Sequence, residues 1–302
     1  MGALLLLECG LLICFGIAQL APYSALDLPR RALGYQGILE PGGSLRDVGF
    51  SDDGQHLMLG GTAGLAFWSI SEQALQQRFD TGGHTVNRAL ISPDSRVVAA
   101  LLDDSSVRLW DASSGALLRS LPRTSGGALS FSPNSAVLVT AGDGQSAQIW
   151  RVSDGQLLRT FDYTDRTFNI VVFDEQDQVK KFTEWNWVDK WRTSALAPDR
   201  RWVARGSGFG EIQLWKPDDE AWQHLHGHSG IIKRLAFSPD GKLLASSDSD
   251  SVVRVWRVAN GQQVAAYLIR TSADALAFAP DNRTLAISDG EAVSLWHVPA
   301  QW

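Results

Sequence analysis

Cysteine is almost absent from this sequence, since two of the 302 residues are cysteine and both, Cys9 and Cys14, lie near the N-terminus. The rest of the chain therefore has no thiol for nucleophilic catalysis, for a disulfide or for a cysteine-ligated zinc ion. Dense runs of lysine and arginine are also missing, and the formal net charge is −6 at pH 7. Proteins that bind nucleic acid concentrate basic residues on one face, so the composition predicts no nucleic-acid partner.

Catalytic and metal-binding motifs are scarce as well. The six histidines include one cluster, His224, His226 and His228, whose spacing places three imidazoles on one face of a strand. Side chains along one strand diverge, and no acidic partner for the cluster is identifiable from the sequence. A nucleophile motif of the Gly-x-Ser-x-Gly type is absent too. We therefore predict no catalytic residues, no metal and no other cofactor.

The first 26 residues form a separate apolar segment, in which residues 3–7 and 10–21 are almost wholly apolar. This pattern predicts a signal peptide or membrane anchor at residues 1–26, followed by a folded body at residues 27–302. The alternatives are a misassigned start and an apolar strand packed against the body. The segment implies an exported or membrane-associated protein of a bacterial periplasm or envelope, with a possible membrane tether through the N-terminus. A cytoplasmic location is the alternative.

Internal repetition is the dominant signal in the body. Short turn-forming motifs follow an aromatic or apolar residue at residues 50–54, 91–94, 131–134, 196–199, 237–241 and 278–281. A tryptophan follows each motif, at Trp68, Trp110, Trp150, Trp215, Trp256 and Trp296. Successive tryptophans are 42, 40, 65, 41 and 40 residues apart. A period near 40 residues matches the four-stranded blades of a β-propeller.

One unit shows why these residues form strands. Residues 232–237, 243–247, 252–258 and 263–267 are short β-prone runs, and polar turns rich in Pro, Asp, Asn and Gly separate them. Four antiparallel strands joined by tight turns result. A lone sheet of this size cannot bury both faces, whereas radial packing covers each face with the next blade. The repeated tryptophan is then expected to pack between blades.

The number of blades and the closure of the ring follow from two irregularities. The last unit ends near residue 298 and lacks a fourth strand, so we expect the run at residues 30–35 to complete that blade. The step from Trp150 to Trp215 is about 24 residues longer than one blade. It predicts six four-stranded blades plus an inserted hairpin at about residues 164–190. Seven blades with one degenerate blade are the alternative.

Residues 30–302 resemble the WD-repeat β-propeller family in their period, in the turn after each first strand and in the third-strand tryptophan. Further points of resemblance are Gly83-His84, Gly227-His228 and the literal Trp110-Asp111. The resemblance implies an all-β propeller whose blades are pinned by a hydrogen-bonded His, Ser or Thr, Asp and Trp. One unit matches this set in full, with His228, Ser246, Asp250 and Trp256. The unit of Trp110 has His84 and Asp104, but Ala100 stands at the hydroxyl position.

The predicted hairpin carries a cluster of aromatic residues. Trp185 and Trp187 point the same way on a strand, Phe182 faces oppositely, and Trp191 follows. Tryptophan is enriched among the buried anchors of protein interfaces, so these four residues are predicted to bind a partner. The alternative is that they pack the hairpin onto the ring.

Taken together, these features predict a non-catalytic scaffold for protein–protein interaction, built as a monomeric ring with a protein partner that the sequence does not identify. The alternative is a propeller enzyme or a small-ligand-binding protein with its site at the axial pore. Convergence of charged side chains at the pore would favour the alternative. An exposed aromatic patch on a rim would favour the scaffold.

Overall fold

The computed structural model describes residues 35–39, 43–122, 128–142, 146–162, 171–173, 179–182, 191–199, 201–216 and 222–299. These described residues form 26 β-strands and no helix. Accordingly, a helix with the length and apolarity to cross a membrane is not found in this part of the chain. The apolar segment at residues 1–26 lies outside the described residues.

The strands are numbered in chain order. The first half comprises β1 (Tyr35–Leu39), β2 (Leu45–Phe50), β3 (His56–Gly61), β4 (Gly64–Ser69), β5 (Ala74–Phe79), β6 (Val86–Ile91), β7 (Val97–Leu102), β8 (Val107–Asp111), β9 (Leu117–Leu121), β10 (Ala128–Phe131), β11 (Val137–Gly142), β12 (Ser146–Arg151) and β13 (Leu157–Asp162). The second half comprises β14 (Val171–Phe173), β15 (Val179–Phe182), β16 (Trp191–Leu196), β17 (Val203–Ser207), β18 (Ile212–Trp215), β19 (Trp222–Leu225), β20 (Ile232–Phe237), β21 (Leu243–Asp248), β22 (Val252–Arg257), β23 (Gln263–Leu268), β24 (Leu276–Phe278), β25 (Thr284–Asp289) and β26 (Ala292–His297).

Six antiparallel four-stranded sheets form the blades of a β-propeller, as the repeat period predicts. Blades 1 to 5 are β2–β5, β6–β9, β10–β13, β16–β19 and β20–β23, and blade 6 is β24–β26 together with β1. The first strands of neighbouring blades contact one another, which places them around the axis. The fourth strands are therefore on the outside of the ring.

Tight turns make each blade possible. The turn between the first and second strands needs one residue with positive φ, and Gly241 (φ +69°) supplies it in blade 5. The same position is taken by Gly54, Ser95, Ser135 and Asn282 in four other blades, all with φ between +58° and +66°. In blades 1, 2, 3 and 5 a serine before the turn closes it, as when the Leu243 N–H donates to Ser238 Oγ at 3.0 Å. In blade 6 the equivalent residue is Ala279.

The core lies between blades rather than within them. Trp110 of blade 2 is fully buried in one cluster with Leu65 and Phe79 of blade 1. Trp256 of blade 5 packs in the same way against Ile212 and Leu214 of blade 4. Trp150 and Trp296 likewise pack on the preceding blade, whereas Trp215 stacks on Trp222 of its own blade, with the ring centroids 5.6 Å apart. Replacing a buried tryptophan by alanine is expected to destabilise the fold by about 3–5 kcal/mol.

The irregular step between Trp150 and Trp215 contains an inserted hairpin, as predicted. Strands β14 and β15 pair antiparallel in a two-stranded sheet of their own, between the last strand of blade 3 and the first strand of blade 4. The ring has six blades, and the alternative with seven is not what the structure shows.

An N-terminal strand completes the last blade, as predicted, but a different segment forms that strand. Strand β1 pairs antiparallel with β26 and completes blade 6, with Tyr35 opposite Trp296 and Leu39 opposite Val293. The sequence analysis assigned this role to residues 30–35, and of these only Tyr35 belongs to β1. The β-prone run with Ile and Leu begins at Tyr35, and the earlier residues with two arginines lie outside the described part of the chain.

Removing the closing strand should weaken the whole ring. We compare two truncated chains, one starting at residue 34 and one starting at residue 41. The shorter chain leaves β26 as an open sheet edge and loses the hydrogen bonds of a five-residue strand. Its free energy of unfolding should be lower by about 2–4 kcal/mol, measured by chemical denaturation followed through tryptophan fluorescence. Equal stability of the two chains would show that closure by β1 is dispensable.

Candidate functional site

The two faces of the ring differ in what they carry. The upper rim is defined here by the turns between second and third strands and by the connections between blades. The lower rim is defined by the turns between first and second strands and between third and fourth strands. This assignment follows from the antiparallel order of the strands in each blade. The inserted hairpin of β14 and β15 belongs to the connection between blades 3 and 4 and so emerges at the upper rim.

A chain of hydrogen bonds pins blade 5 beneath the upper rim. Trp256 Nε1 donates to Ser246 Oγ at 2.8 Å, and Ser246 Oγ lies 2.7 Å from His228 Nε2. His228 Nδ1 lies 2.6 Å from Asp248 Oδ2. The side chains of His228 and Asp248 are almost completely buried, at 0% and 1% exposure. The network therefore ties the connection before blade 5 to the second and third strands of that blade.

Asp248 takes the place in this network that the sequence analysis assigned to Asp250. Ser246 and Asp248 are two residues apart on β21 and share one face, whereas Asp250 lies beyond the end of that strand. Asp248 also closes the following turn, since its Oδ1 accepts the N–H groups of Asp250 at 2.9 Å and Val252 at 3.0 Å. Asp250 lies in the turn itself, beside Gly230.

The network suits a neutral imidazole at His228. The indole of Trp256 can only donate and the carboxylate of Asp248 can only accept. The Ser246 hydroxyl therefore donates a hydrogen bond to His228 Nε2, while His228 Nδ1–H donates to Asp248. Burial lowers the pKa of His228, and Arg254 also lowers it, whereas Asp248 and Asp250 act in the opposite direction. The neutral form is thus favoured inside the folded blade.

Blade 2 has an incomplete version of the same network. His84 Nδ1 lies 2.8 Å from Asp103 Oδ1, and its Nε2 lies 3.5 Å from the predicted partner, Asp104. Ala100 occupies the position that Ser246 has in blade 5, and the indole N–H of Trp110 is buried without a hydrogen-bond partner. In blade 3, by contrast, Thr140 accepts from Trp150 Nε1 at 3.1 Å. The histidine in blade 2 therefore contacts the turn but not the tryptophan.

The upper end of the axial channel is marked by a repeated irregularity. In blades 1, 2, 4 and 5 the pairing of the first and second strands shifts by one residue at the same position. The residues at these bulges are Arg46, Asn87, Arg192 and Lys233. A β-bulge turns side chains away from their regular direction and is frequent next to functional sites. Bulges of neighbouring blades are linked, since Arg46 Nη1 donates to Asn87 Oδ1.

Charged side chains from different blades meet in this channel. Asp47 of blade 1 follows the first bulge, and its Oδ2 accepts the Ala89 N–H of blade 2 at 2.9 Å. Burial raises the pKa of Asp47, while Arg88 and, more weakly, Arg234 of blade 5 lower it. Arg234 also interacts with Asp274 of blade 6. Blades 1, 2, 5 and 6 thus direct opposite charges to the upper end of the axis.

An exposed aromatic residue also lies on the upper rim. Phe209 lies in the turn between the second and third strands of blade 4 and is 75% exposed. Gly210 next to it (φ +78°) lies so close to the connection before blade 5 that a Cβ there would be 2.4 Å from the His228 carbonyl oxygen. On that connection Ile231 is 43% exposed, and its N–H donates to Ser249 Oγ at 2.9 Å. The two exposed apolar residues therefore stand on segments that are in contact.

Of the four aromatic residues predicted to bind a partner, two belong to described strands and two do not. Phe182 is the last residue of β15, in the connection between blades 3 and 4, and Trp191 is the first residue of β16 in blade 4. Trp185 and Trp187 lie outside the described residues. Sequence reasoning missed Phe209, although its setting between two glycines in a turn could have indicated exposure.

The histidine cluster of the sequence is dispersed in the structure. His224 Nδ1 lies 2.9 Å from Glu211 Oε1, the ring of His226 stacks on that of His224 at 6.0 Å, and His228 belongs to the buried network. The described residues contain no group of three or more His, Cys, Asp or Glu side chains arranged to hold a metal ion.

Comparison with known families matches this geometry. The model of the family "WD domain, G-beta repeat" matches residues 75–111, 116–151 and 220–257. Each match starts with the fourth strand of one blade and ends with the third strand of the next. The chain contains three WD repeats. Proteins of this family are generally non-catalytic and bind protein partners.

Three relatives illustrate the similarity. A chicken "Serine-threonine kinase receptor-associated protein" is 26% identical over 224 residues, covering 72% of this chain and 56% of the relative. "Transcription factor unc-37" of Caenorhabditis elegans is 20% identical over 72% of this chain and 32% of its own length. "Notchless protein homolog" of Arabidopsis thaliana is 29% identical over 35% of this chain and 21% of its own length. The chain thus spans about half, or less, of the length of these relatives.

These relatives correct one prediction. The sequence analysis placed the protein in a bacterial periplasm or envelope, exported or membrane-associated, and this was wrong. The relatives that this WD-repeat protein resembles come from animals and a plant, and their names refer to a receptor-associated protein and a transcription factor. The prediction of the location rested on the apolar character of residues 1–26, although no lysine or arginine precedes the apolar run, as it does in an ordinary signal peptide.

Supplying the missing hydroxyl in blade 2 should stabilise the WD-repeat ring. In Ala100→Ser the new Oγ can accept from Trp110 Nε1, as Ser246 does for Trp256, and the free energy of unfolding should rise by about 1 kcal/mol. The matched control is Ala99→Ser, because Ala99 is equally buried but points to the opposite face. That variant should be destabilised by about 1–3 kcal/mol. Chemical denaturation measures both, and loss of stability in Ala100→Ser would contradict the assignment.

The buried imidazole should also make stability depend on pH. Because the folded pKa of His228 lies below the ordinary value of 6.5, the unfolded chain binds a proton that the folded chain does not. Stability is therefore complete above that value and is lost as the pH falls through it, by at most about 1.4 kcal/mol per pH unit. Denaturation at several pH values should show this slope.

The slope should disappear in His228→Gln and persist in His226→Gln, since His226 is exposed on the same connection. An identical pH dependence in the wild type and in His228→Gln would assign the effect to other groups.

Proposed function

We propose that the chain is a non-catalytic platform for protein–protein interaction, and that the upper rim at blades 4 and 5 is its docking surface. The observation that carries the proposal is the exposure of Phe209 at 75% on a turn held rigidly against the neighbouring connection. A large aromatic side chain is costly to leave in water and is typical of the residues that dominate binding energy. The ring is a single chain closed on itself, which fits a monomer.

Rigidity supports this assignment. The main-chain N–H groups of Phe209 and Glu211 both donate to Ser207 Oγ, at 3.1 Å and 3.0 Å, and so hold the turn in one conformation. Ile231 is fixed by the neighbouring turn, whose Ser249 N–H donates to the Ile231 carbonyl at 2.9 Å. A preorganised surface loses little conformational freedom when it binds. Exposed apolar residues on fixed turns therefore suit partner recognition.

The hairpin extends the proposed surface. It emerges at the same rim, between blades 3 and 4. Phe182, Trp185 and Trp187 belong to its sequence, and Trp191 begins the strand that follows. We include these four residues in the proposed partner-binding surface. The relatives named as a receptor-associated protein and a transcription factor are consistent with a function in macromolecular assembly.

The axial charges favour a second candidate function. Asp47, Arg88, Arg234 and Asp274 converge on the upper end of the channel, which is the arrangement expected of a site for a small charged ligand. In that case the ligand would depend on Arg234 and not on Phe209.

Substitution of the exposed aromatic residue should separate these functions. A partner is isolated by affinity capture from a native extract and purified, and its dissociation constant is then measured for the wild type and for Phe209→Ala. Loss of an interface anchor should weaken binding by at least about 30-fold, or 2 kcal/mol. The double variant Trp185→Ala/Trp187→Ala is measured in parallel.

The matched control is Leu117→Ala, which removes an apolar side chain that is 52% exposed on the outer strand of blade 2. It should leave the affinity unchanged. Unchanged affinity in Phe209→Ala would remove the rim at blades 4 and 5 from the docking surface. Loss of binding in Arg234→Gln alone would favour the axial site instead.

A further inference from the structure

A second concave surface lies on the lower rim, away from Phe209. It is an open groove of about 950 Å³ that crosses blades 4, 5 and 6. The groove is lined by the turns after the first strand of each of these blades and by the ends of the third strands. Its basic residues are Arg201, Lys216, Lys242, Arg257 and Arg283.

Three of these basic residues are equivalent by repeat. Arg201, Lys242 and Arg283 each stand two residues after the aspartate of the turn, in three consecutive blades. All three are exposed, and the side chain of Lys242 is 79% accessible. In the part of the chain that the structure describes, Arg201 and Arg283 form no ion pair, and Lys242 Nζ lies 3.4 Å from Asp240. The lower rim thus presents an arc of cations.

The acidic residues of the groove are occupied by their own turns. Asp199 Oδ1 accepts the Arg201 N–H at 3.0 Å, and Asp240 Oδ1 accepts from Ser238 Oγ at 2.7 Å and from the Lys242 N–H at 3.1 Å. Asp281 accepts two main-chain N–H groups and the hydroxyl of Thr284. Among the described residues that line the groove, five are basic and three are acidic, although the formal net charge of the chain is −6.

The floor of the groove is rigid because adjacent turns touch. The Asp240 N–H donates to Asn282 Oδ1 of blade 6 at 2.8 Å. On the other side, a Cβ at Gly241 (φ +69°) would lie 3.4 Å from the carboxylate of Asp199 in blade 4. The spacing of the three cations is therefore fixed before any ligand binds, which lowers the entropic cost of binding. Partly buried Trp202 and Val264 add apolar surface between the charges.

We propose that this groove binds an acidic, extended segment of a protein partner. Carboxylates of the segment would pair with Arg201, Lys242 and Arg283, and its other side chains would lie on Trp202 and Val264. Charge complementarity carries the choice of an acidic peptide. A nucleic acid is disfavoured because the formal net charge of the chain is −6 and dense runs of lysine and arginine are missing. The inference rests on the proposed interaction function and adds a second surface and the chemistry of its ligand.

The test uses fluorescein-labelled octapeptides with the full chain at low ionic strength, followed by fluorescence anisotropy. Alternating Glu-Ala is the probe, and alternating Gln-Ala and Lys-Ala are the comparison peptides. We expect the Glu-Ala peptide to bind and the other two to bind at least tenfold more weakly. The triple variant Arg201→Gln/Lys242→Gln/Arg283→Gln should weaken Glu-Ala binding at least tenfold, and added salt should weaken it in the wild type.

A second triple variant with the same change in net charge distinguishes binding at the groove from attraction by the overall charge of the protein. Arg78→Gln/Arg96→Gln/Arg119→Gln removes the same charge from exposed positions of blades 1 and 2, and Arg96 is the blade 2 equivalent of Lys242. This control should bind the Glu-Ala peptide as the wild type does. Thermal unfolding checks the fold of both triples, and the single charge reversal Lys242→Glu repeats the test with a smaller change.

Several results would overturn the proposal. These are equal binding of the Glu-Ala and Gln-Ala peptides, equal weakening in the two triple variants, and tighter binding of a single-stranded oligonucleotide that displaces the Glu-Ala peptide. Phe209→Ala serves as an independent marker, since it should leave peptide binding at the groove unchanged. Failure of the groove would thus leave the upper-rim surface standing, and the converse also holds.

Discussion

Packing of each blade against the preceding one is the interaction on which the ring depends. Both faces of a four-stranded sheet here are apolar, and Trp110, Trp256 and Trp296 complete clusters that begin in the neighbouring blade. No blade can bury these faces alone. The hydrogen-bond network around His228 is secondary to this packing. Blade 2 keeps its place although the indole N–H of Trp110 has no partner in its incomplete network.

Much of this architecture could be predicted because it repeats. A tryptophan at a regular period and a turn motif before it were sufficient for six blades, and the longer step after Trp150 indicated the hairpin. Residues whose role depends on where a strand begins or ends were harder to predict. The closing strand is β1 rather than residues 30–35. Asp248 rather than Asp250 meets His228, because β21 ends at Asp248 and Asp250 lies in the turn that follows.

The proposed binding surfaces could not be predicted in this way, because they are assembled from separate blades. Asp47 and Arg234 are far apart in sequence, and bulges at the start of their strands direct them to one channel. Arg201, Lys242 and Arg283 repeat at equivalent positions of three blades, so the sequence shows them. Their role as an anion-binding surface also depends on the nearby aspartates, whose carboxylates accept hydrogen bonds within their own turns. Phe209 is exposed because its turn is short and flanked by glycines.

The pairing of β1 with β26 has a consequence for the order of events during synthesis. Tyr35 is made before any blade, and its partner Trp296 is among the last residues of the ring to be made. Until then β1 has no strand beside it, and the exposed face of blade 1 has no neighbour on that side. Contacts between residues so distant in sequence form slowly. The ring therefore cannot be completed before β26 has been made, and the nascent blades need protection from association until then.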